Sequence, residues 1–226
     1  MKVLISGALG HIGSYLIREL PKNIYFKKIY IVDNLDSQRF VSLFNLPNFN
    51  YKFINKDLSK ESFNEDKVDI VIHFAAKTDA TSSFYNDEAY KKNKKITSKL
   101  VSYCKKHKAK LIFASSTSLY GTQDKIISEN CKTSELKPQS PYAKIKLEEE
   151  RLIRKNLNKN LFVILRLGTI YGYSVGMRFH TAVNKFCFQA SSELPLTIWK
   201  TALHQKRPYL SIKDLGRSLI FIIKVR

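Results

Sequence analysis

At 226 residues the chain is long enough to bury a sizeable core, as one large domain or one domain with a small appendage. Its 39 Lys and Arg against 19 Asp and Glu leave a net charge of +20, which raises the question of a polyanionic partner. The lysines are spread along the chain without a basic tail, a zinc knuckle or an aromatic-basic repeat, so a solvated surface is expected rather than nucleic-acid binding. Such charge still favours phosphorylated or nucleotide-linked ligands. Cys104, Cys131 and Cys187 are odd in number and lack metal or redox spacing, which predicts a reduced, cytoplasmic protein with no metal site. No apolar stretch approaches the roughly 18 residues of a membrane span, so no membrane partner is expected.

The first 33 residues organise the rest. An apolar run at Val3 to Ile5 reads as a buried parallel strand; Gly7, Gly10, His11, Ile12 and Gly13 follow, then a helix whose apolar face is Ile12, Leu16, Ile17 and Leu20. Gly7 suits a tight turn, Gly10 lets a pyrophosphate approach the backbone and helix N-terminus, and Gly13 lets helix and strand pack closely. A second strand, Ile29 to Val32, delivers Asp33, followed by Asn34, twenty residues past Gly13. A carboxylate there accepts from an adenosine ribose and repels a 2′-phosphate, so NAD is the expected cofactor.

A third strand is expected at Tyr51 to Ile54, ending at Asp57 and Leu58. Asp57 suits either an adenine amine or the N-cap of a helix near Lys60 to Asp66. The fourth strand, Ile70 to Phe74, ends in His73, Phe74, Ala75 and Ala76, small residues that leave room for a cofactor backbone. His73 reads as scaffold. Lys77, Thr78, Asp79 and Thr81 are loop residues near cofactor or substrate. A long helix at about 84 to 107 precedes a fifth strand, Lys110 to Ala114, which delivers Ser115, Ser116, Thr117 and Ser118 to the same sheet edge. Residues 122 to 139 are polar and suit a cover.

Ser140 is a good N-cap and Pro141 a good first helical residue, so a helix to about Lys155 sets Tyr142 and Lys146 one turn apart on one face. A phenol titrates near 10, and a nearby ammonium stabilises its phenolate. A tenfold gain in the acidity of the phenol corresponds to about 1.4 kcal/mol. Lys146 thus tunes Tyr142 as a base and is placed to donate to a nicotinamide ribose, while Ser116 holds the reacting substrate oxygen beside it.

Together Gly7-x-x-Gly10-x-x-Gly13, Asp33-Asn-Leu, Asp57-Leu58, His73-Phe-Ala-Ala, Ser115 to Gly121, Tyr142-x-x-x-Lys146 and Leu165 to Gly172 resemble the extended short-chain dehydrogenase/reductases, specifically the NAD-dependent nucleotide-sugar epimerase/dehydratase family. The resemblance covers residues 1 to 172 in order. It implies a doubly wound Rossmann sheet, bound NAD, a nucleotide-diphosphate sugar as substrate, and a homodimer paired through helices near 84–107 and 141–155. Asn93, followed four residues later by Thr97, resembles the family's structural Asn position in the long helix. Family dehydratases carry an Asp-Glu pair after the catalytic hydroxyl residue; here Thr117 and Ser118 stand there, which leaves an epimerase or a simple oxidoreductase.

The expected division is a Rossmann domain at 1–168 and a partial substrate region at 169–226, interleaved with the end of the core sheet. Past a sixth strand at Leu161 to Leu167, Thr169 occupies a place where many relatives have Asn. Tyr173 to Phe179 is expected as a substrate loop with Arg178 toward a phosphate, followed by a helix at about 180–191 whose apolar face is Val183, Phe186, Cys187 and Ala190. Arg207 resembles a diphosphate contact ahead of a short strand, and Asp214 a cap for a helix at 215–224. That last helix is apolar at Leu215, Leu219, Ile220, Ile222 and Ile223. Relatives continue for roughly 80 to 100 residues more, so the resemblance predicts an incomplete substrate lobe and a final helix without its packing partners.

Overall fold

The structure is a computed structural model that describes all residues other than 79–83, 86, 124–126, 199, 201–202, 204–205 and 226, and leaves out the side chains at 87–89. Asp79 and Thr81 therefore lie outside the described residues. Six strands, β1 (Lys2–Ser6), β2 (Lys28–Asp33), β3 (Tyr51–Asn55), β4 (Ile70–His73), β5 (Lys110–Ser116) and β6 (Phe162–Leu167), form one parallel sheet in the order β3-β2-β1-β4-β5-β6. That order is the doubly wound Rossmann arrangement, which reverses between β1 and β4. Register pairs Ser6 with Val32 and with His73, and Ser116 with Leu167, so the chemistry-bearing strand ends share one edge.

Both faces of the sheet are covered, which is why its strands read as continuous apolar runs rather than alternating ones. Helix α1 (His11–Asn23) packs on one face through Leu16, Ile17 and Leu20 against Val3, Ile5, Ile29 and Ile31. Helices α2 (Asp87–His107) and α3 (Pro141–Asn156) cover the other through Leu100, Val101, Cys104 and Ile153. A parallel pair, β7 (Thr169–Tyr171) and β8 (Tyr209–Ser211), follows the sheet, with helix α4 (Ala182–Ser191) between them and helix α5 (Ile212–Lys224) after them.

Several expectations are corrected. No helix forms over 60–66; Asp57 instead closes a turn, accepting at Oδ1 from Ser59 N (2.9 Å) and Ser59 Oγ (2.7 Å). Tertiary anchors override helical propensity there: the Phe63 ring meets Tyr30 and Tyr103 edge-on, each at 5.4 Å, and Asp66 accepts from Tyr30 Oη and Lys2 Nζ. Helix α2 starts at Asp87 rather than at 84. Ser211, not Asp214, is the N-cap of α5; its Oγ accepts from Asp214 N at 3.1 Å.

Helix α5 does have packing partners. Leu215, Leu219 and Ile223 are buried in the α1 side of the core, and Gly216 lies so close to Tyr15 of α1 that a Cβ would come within 2.6 Å of its ring. On α4 the expected apolar face is only partly used, since Cys187 and Ala190 are exposed. The residue it buries is Asn184.

Candidate active site

The first cleft is built by the β1–α1 turn. Gly7 has φ +68°, and a Cβ there would meet Ala75 N at 2.6 Å, so the Phe74–Ala75 backbone just past β4 presses directly on the turn. A Cβ on Gly13 would meet Ala8 Cα and O at 2.6 Å, the close helix–strand approach expected from its spacing. Gly10 is the N-cap of α1 and brings no side-chain acceptor, which leaves the first-turn amides facing the cleft.

Asp33 stands beyond that turn and is part-buried; Oδ2 accepts from Leu9 N and Oδ1 from Leu35 N, each at 3.1 Å. Each oxygen keeps a second lone pair for a ribose hydroxyl. Asn34, Asp57, Leu58, Phe74, Ala75, Ala76, Lys77 and Thr78 line the same cleft with His11 and Ile12. Burial alone would raise the Asp57 carboxyl, but the Ser59 hydroxyl and amide and the Lys60 and Lys92 charges hold it below its usual value. Open amides at a helix N-terminus with an acidic group one strand away are the donor set of a dinucleotide site, and the residues present fit one.

Two anchors keep the floor of this cleft in place. Asn93 of α2 clasps the backbone of Lys77, accepting from its N–H at 2.9 Å and donating to its carbonyl at 3.0 Å. Lys77 Nζ pairs across the cleft with Asp36. Arg39, Lys60 and Lys92 also line the cleft, a cationic rim that the sequence shows only as dispersed charge.

A second cleft, of about 1060 Å³, shares His11, Ile12, Phe74, Ala76, Thr78 and Arg178 with the first, so the two form one trough. Ser116, Thr117, Tyr142, Lys146, Thr169 and Arg207 line it. Ser140 Oγ caps α3 by accepting from Ala143 N at 3.1 Å, and Pro141 opens the helix, which orients Tyr142 into the cleft wall. The Tyr142 and Ser116 side chains line the same wall of this cleft. Arg178 Nη1 donates to Thr78 Oγ1.

Lys146 is not a free ammonium. It is sealed from solvent, lies 4.4 Å from the centroid of the Phe113 ring, and pairs with Glu149 at 3.0 Å. The expected net depression of the Tyr142 phenol is therefore corrected: burial pushes it above 10. Lys146, the Ser116 hydroxyl and Arg178 pull it down, while Glu149 pushes it up. His73 is scaffold as expected, buried and lowered to about 3 by burial and by the Lys146 charge.

Glu149 and Asn184 escaped sequence reasoning. Glu149 sits within Glu148-Glu149-Glu150, a run that reads as a solvated face, although its spacing from Lys146 was a usable signal. Helical rotation separates the three: exposed Glu148 meets Lys94, buried Glu149 meets Lys146, and buried Glu150 receives Arg166 through two nitrogens at 2.8 and 2.9 Å. Asn184 had no sequence signal, because its partners are backbone groups of a loop.

The chain matches the family model described as NAD dependent epimerase/dehydratase over residues 3–225. It is 32% identical over 239 residues to the uncharacterized UDP-glucose epimerase YtcB of Bacillus subtilis (strain 168), covering 99% of this chain and 72% of that protein. It is 31% identical over 191 residues to a dTDP-D-glucose 4,6-dehydratase of Dictyostelium discoideum, covering 76% of this chain and 44% of the relative. The crystal structure of UDP-glucuronic acid 4-epimerase from Bacillus cereus, in complex with UDP-glucuronic acid and NAD, superposes with a TM-score of 0.84 at 30% identity, covering 100% of this chain and 74% of that one. With its six-stranded Rossmann sheet and its two joined clefts, the chain belongs to the NAD-dependent epimerase/dehydratase family.

Proposed function

We propose that the chain binds NAD and epimerises a nucleotide-diphosphate sugar through a transient keto-sugar. The observation that carries this reading is that Ser116, Tyr142 and, one helical turn from Tyr142, Lys146 line one cleft, which shares a wall with the dinucleotide-shaped cleft. NAD, when bound, supplies a hydride acceptor that can return what it takes. Gly7, Gly10, His11, Ile12, Gly13, Asp33, Asn34, Asp57, Leu58 and the 74–77 segment hold it.

Tyr142 Oη takes the proton of a sugar hydroxyl, with O4 the expected position, while the same carbon gives up its hydride; the alcohol becomes a ketone. The ketone turns, and proton and hydride return at its other face with no net redox change. Ser116 orients the reacting oxygen. Lys146 favours the phenolate and contacts the ribose, and Thr78, Thr117, Thr169, Arg178 and Arg207 receive the sugar nucleotide, the two arginines at its diphosphate. Thr117 and Ser118 supply no carboxylate for water elimination, which argues against a dehydratase. The chain works in a reducing cytoplasm, as a homodimer paired through the outward faces of α2 and α3.

The test is incubation with UDP-, GDP-, ADP- and dTDP-sugars, following product stereochemistry by NMR and cofactor by absorbance. Interconversion of epimers without NADH accumulation is the expected result. Accumulating NADH would favour a reductase or dehydrogenase, and bound NAD with no conversion a non-catalytic NAD-binding or sugar-nucleotide-binding protein.

A further inference from the structure

A buried polar line runs from Lys146 into the centre of the fold. Glu149 Oε2 lies 3.0 Å from Lys146 Nζ, with side-chain exposures of 0% and 3%. Glu149 Oε1 accepts from the hydroxyl of Thr97 on α2. Having given its hydrogen to the carboxylate, Thr97 Oγ1 must accept from His73 Nε2, 3.0 Å away on β4. His73 Nδ1 then accepts from Ser6 Oγ at 2.8 Å on β1. Every donor along Ser6–His73–Thr97–Glu149 thus has one direction, toward the carboxylate. That polarity requires a neutral imidazole, and burial supplies it.

We propose that Glu149 is a positioning residue for proton transfer at Tyr142: it anchors the Lys146 ammonium on α3 and, through its own negative charge, limits how strongly that ammonium favours the phenolate. The inference deepens the proposed function and rests on its reading of Tyr142 as the proton acceptor. A buried ammonium against the Phe113 ring is costly unless paired, and Glu149 is its paired carboxylate. The pairing divides the effect of Lys146 between the carboxylate and the phenol.

Among the described residues, the groups facing Tyr142 include Lys146 and Glu149 from its own helix, Ser116 from the end of β5, Arg178 from the loop after β7, and the Tyr90 ring from α2. Those around Glu149 are Lys146, Thr97 and, through Thr97, His73. Neighbouring Glu150 is engaged by Arg166 and Ser115, and Glu148 by Lys94 at the surface.

The experiment is a pH titration of the protein in saturating NAD, with tyrosine ring carbons isotopically labelled and read by NMR; Tyr142→Phe identifies the signal. Glu149→Gln keeps the shape and an acceptor for Thr97 but removes the charge. Its Tyr142 midpoint is expected about one pH unit below that of the unsubstituted protein, and the rising limb of kcat/KM should move down with it. Glu149→Asp keeps the charge and should hold the midpoint near its original value. An unchanged midpoint in folded Glu149→Gln, or an equal fall in Glu149→Asp, overturns the proposal. Lys146→Met/Glu149→Gln buries no unpaired charge and gives a second comparison: its midpoint is expected above that of Glu149→Gln, because the ammonium released from the carboxylate is gone; equal midpoints in the two variants also overturn it. The midpoint needs no substrate, so absent turnover would sink the epimerase reading while leaving this comparison decisive.

Discussion

Asn184, the buried residue of α4, donates to the Arg178 carbonyl at 3.0 Å and accepts from Gly172 N at 3.0 Å, so one side-chain amide ties both ends of the segment 172–178. The middle of that segment is tied to the glycine loop's helix, where Gly176 N donates to Ser14 Oγ at 2.9 Å. The position of Arg178 against Thr78 therefore depends on these side-chain-to-backbone contacts within the chain.

Asn184→Leu should release this segment. Both backbone partners lose their bond, at a cost of about 1–3 kcal/mol for each group left unsatisfied. Steady-state kinetics should show KM for the sugar nucleotide rising about tenfold, equivalent to ~1.4 kcal/mol, with kcat less affected. An unchanged KM would mean that the segment holds its shape without the clamp.

Tyr142→Phe removes only the hydroxyl. Turnover should fall by about a hundred- to ten-thousandfold, the usual worth of a positioned acid or base. NAD affinity by calorimetry and the melting temperature should stay near their original values. Retained turnover would refute Tyr142 as the proton acceptor.

Asp33→Asn keeps the size of the side chain but removes its charge and one of its two acceptor oxygens. Loss of charge-assisted bonds to the ribose should weaken NAD binding by about 1.5–3 kcal/mol, roughly ten- to a hundredfold. Discrimination against NADP should shrink with it, since the repulsion of a 2′-phosphate is gone. Calorimetric titration of both cofactors checks the two effects separately.

His73 makes stability pH-dependent with a definite sign. Its folded value of about 3 lies below the ordinary 6.5, so between those limits the unfolded chain binds a proton that the folded one refuses. Its contribution is fully present above pH 6.5 and is lost as pH falls toward 3, at up to about 1.4 kcal/mol for each tenfold rise in proton concentration. Urea unfolding at pH 7, 6, 5 and 4 should show this slope, and His73→Gln should flatten it. Equal slopes in the two proteins would show that His73 is not the group responsible.

Local signals carried much of the architecture. The strands ending at Ser6, Asp33, His73 and Ser116 are apolar runs because helices bury both sheet faces, and Ser140-Pro141 marks the start of α3 by satisfying and omitting orphan amides. The same logic failed at 60–66, where Phe63 and Asp66 are held by residues from β1, β2 and α2. It failed for α5 because its partner α1 lies near the opposite end of the chain.

The sequence by itself determined the buried strand runs, the glycine turn, the placement of Asp33, and the one-turn spacing of Tyr142 and Lys146, all properties of backbone conformation and short-range periodicity; the doubly wound strand order followed from the family resemblance. Only the tertiary structure decided what the buried charges do. Whether Glu148, Glu149 or Glu150 meets Lys146 depends on helix rotation and on which strand and helix lie beneath α3. Whether Tyr142 titrates below or above an ordinary phenol depends on desolvation against the sum of those charges. Electrostatics in a buried site is a property of three-dimensional distance and of excluded water, and neither is written in residue order.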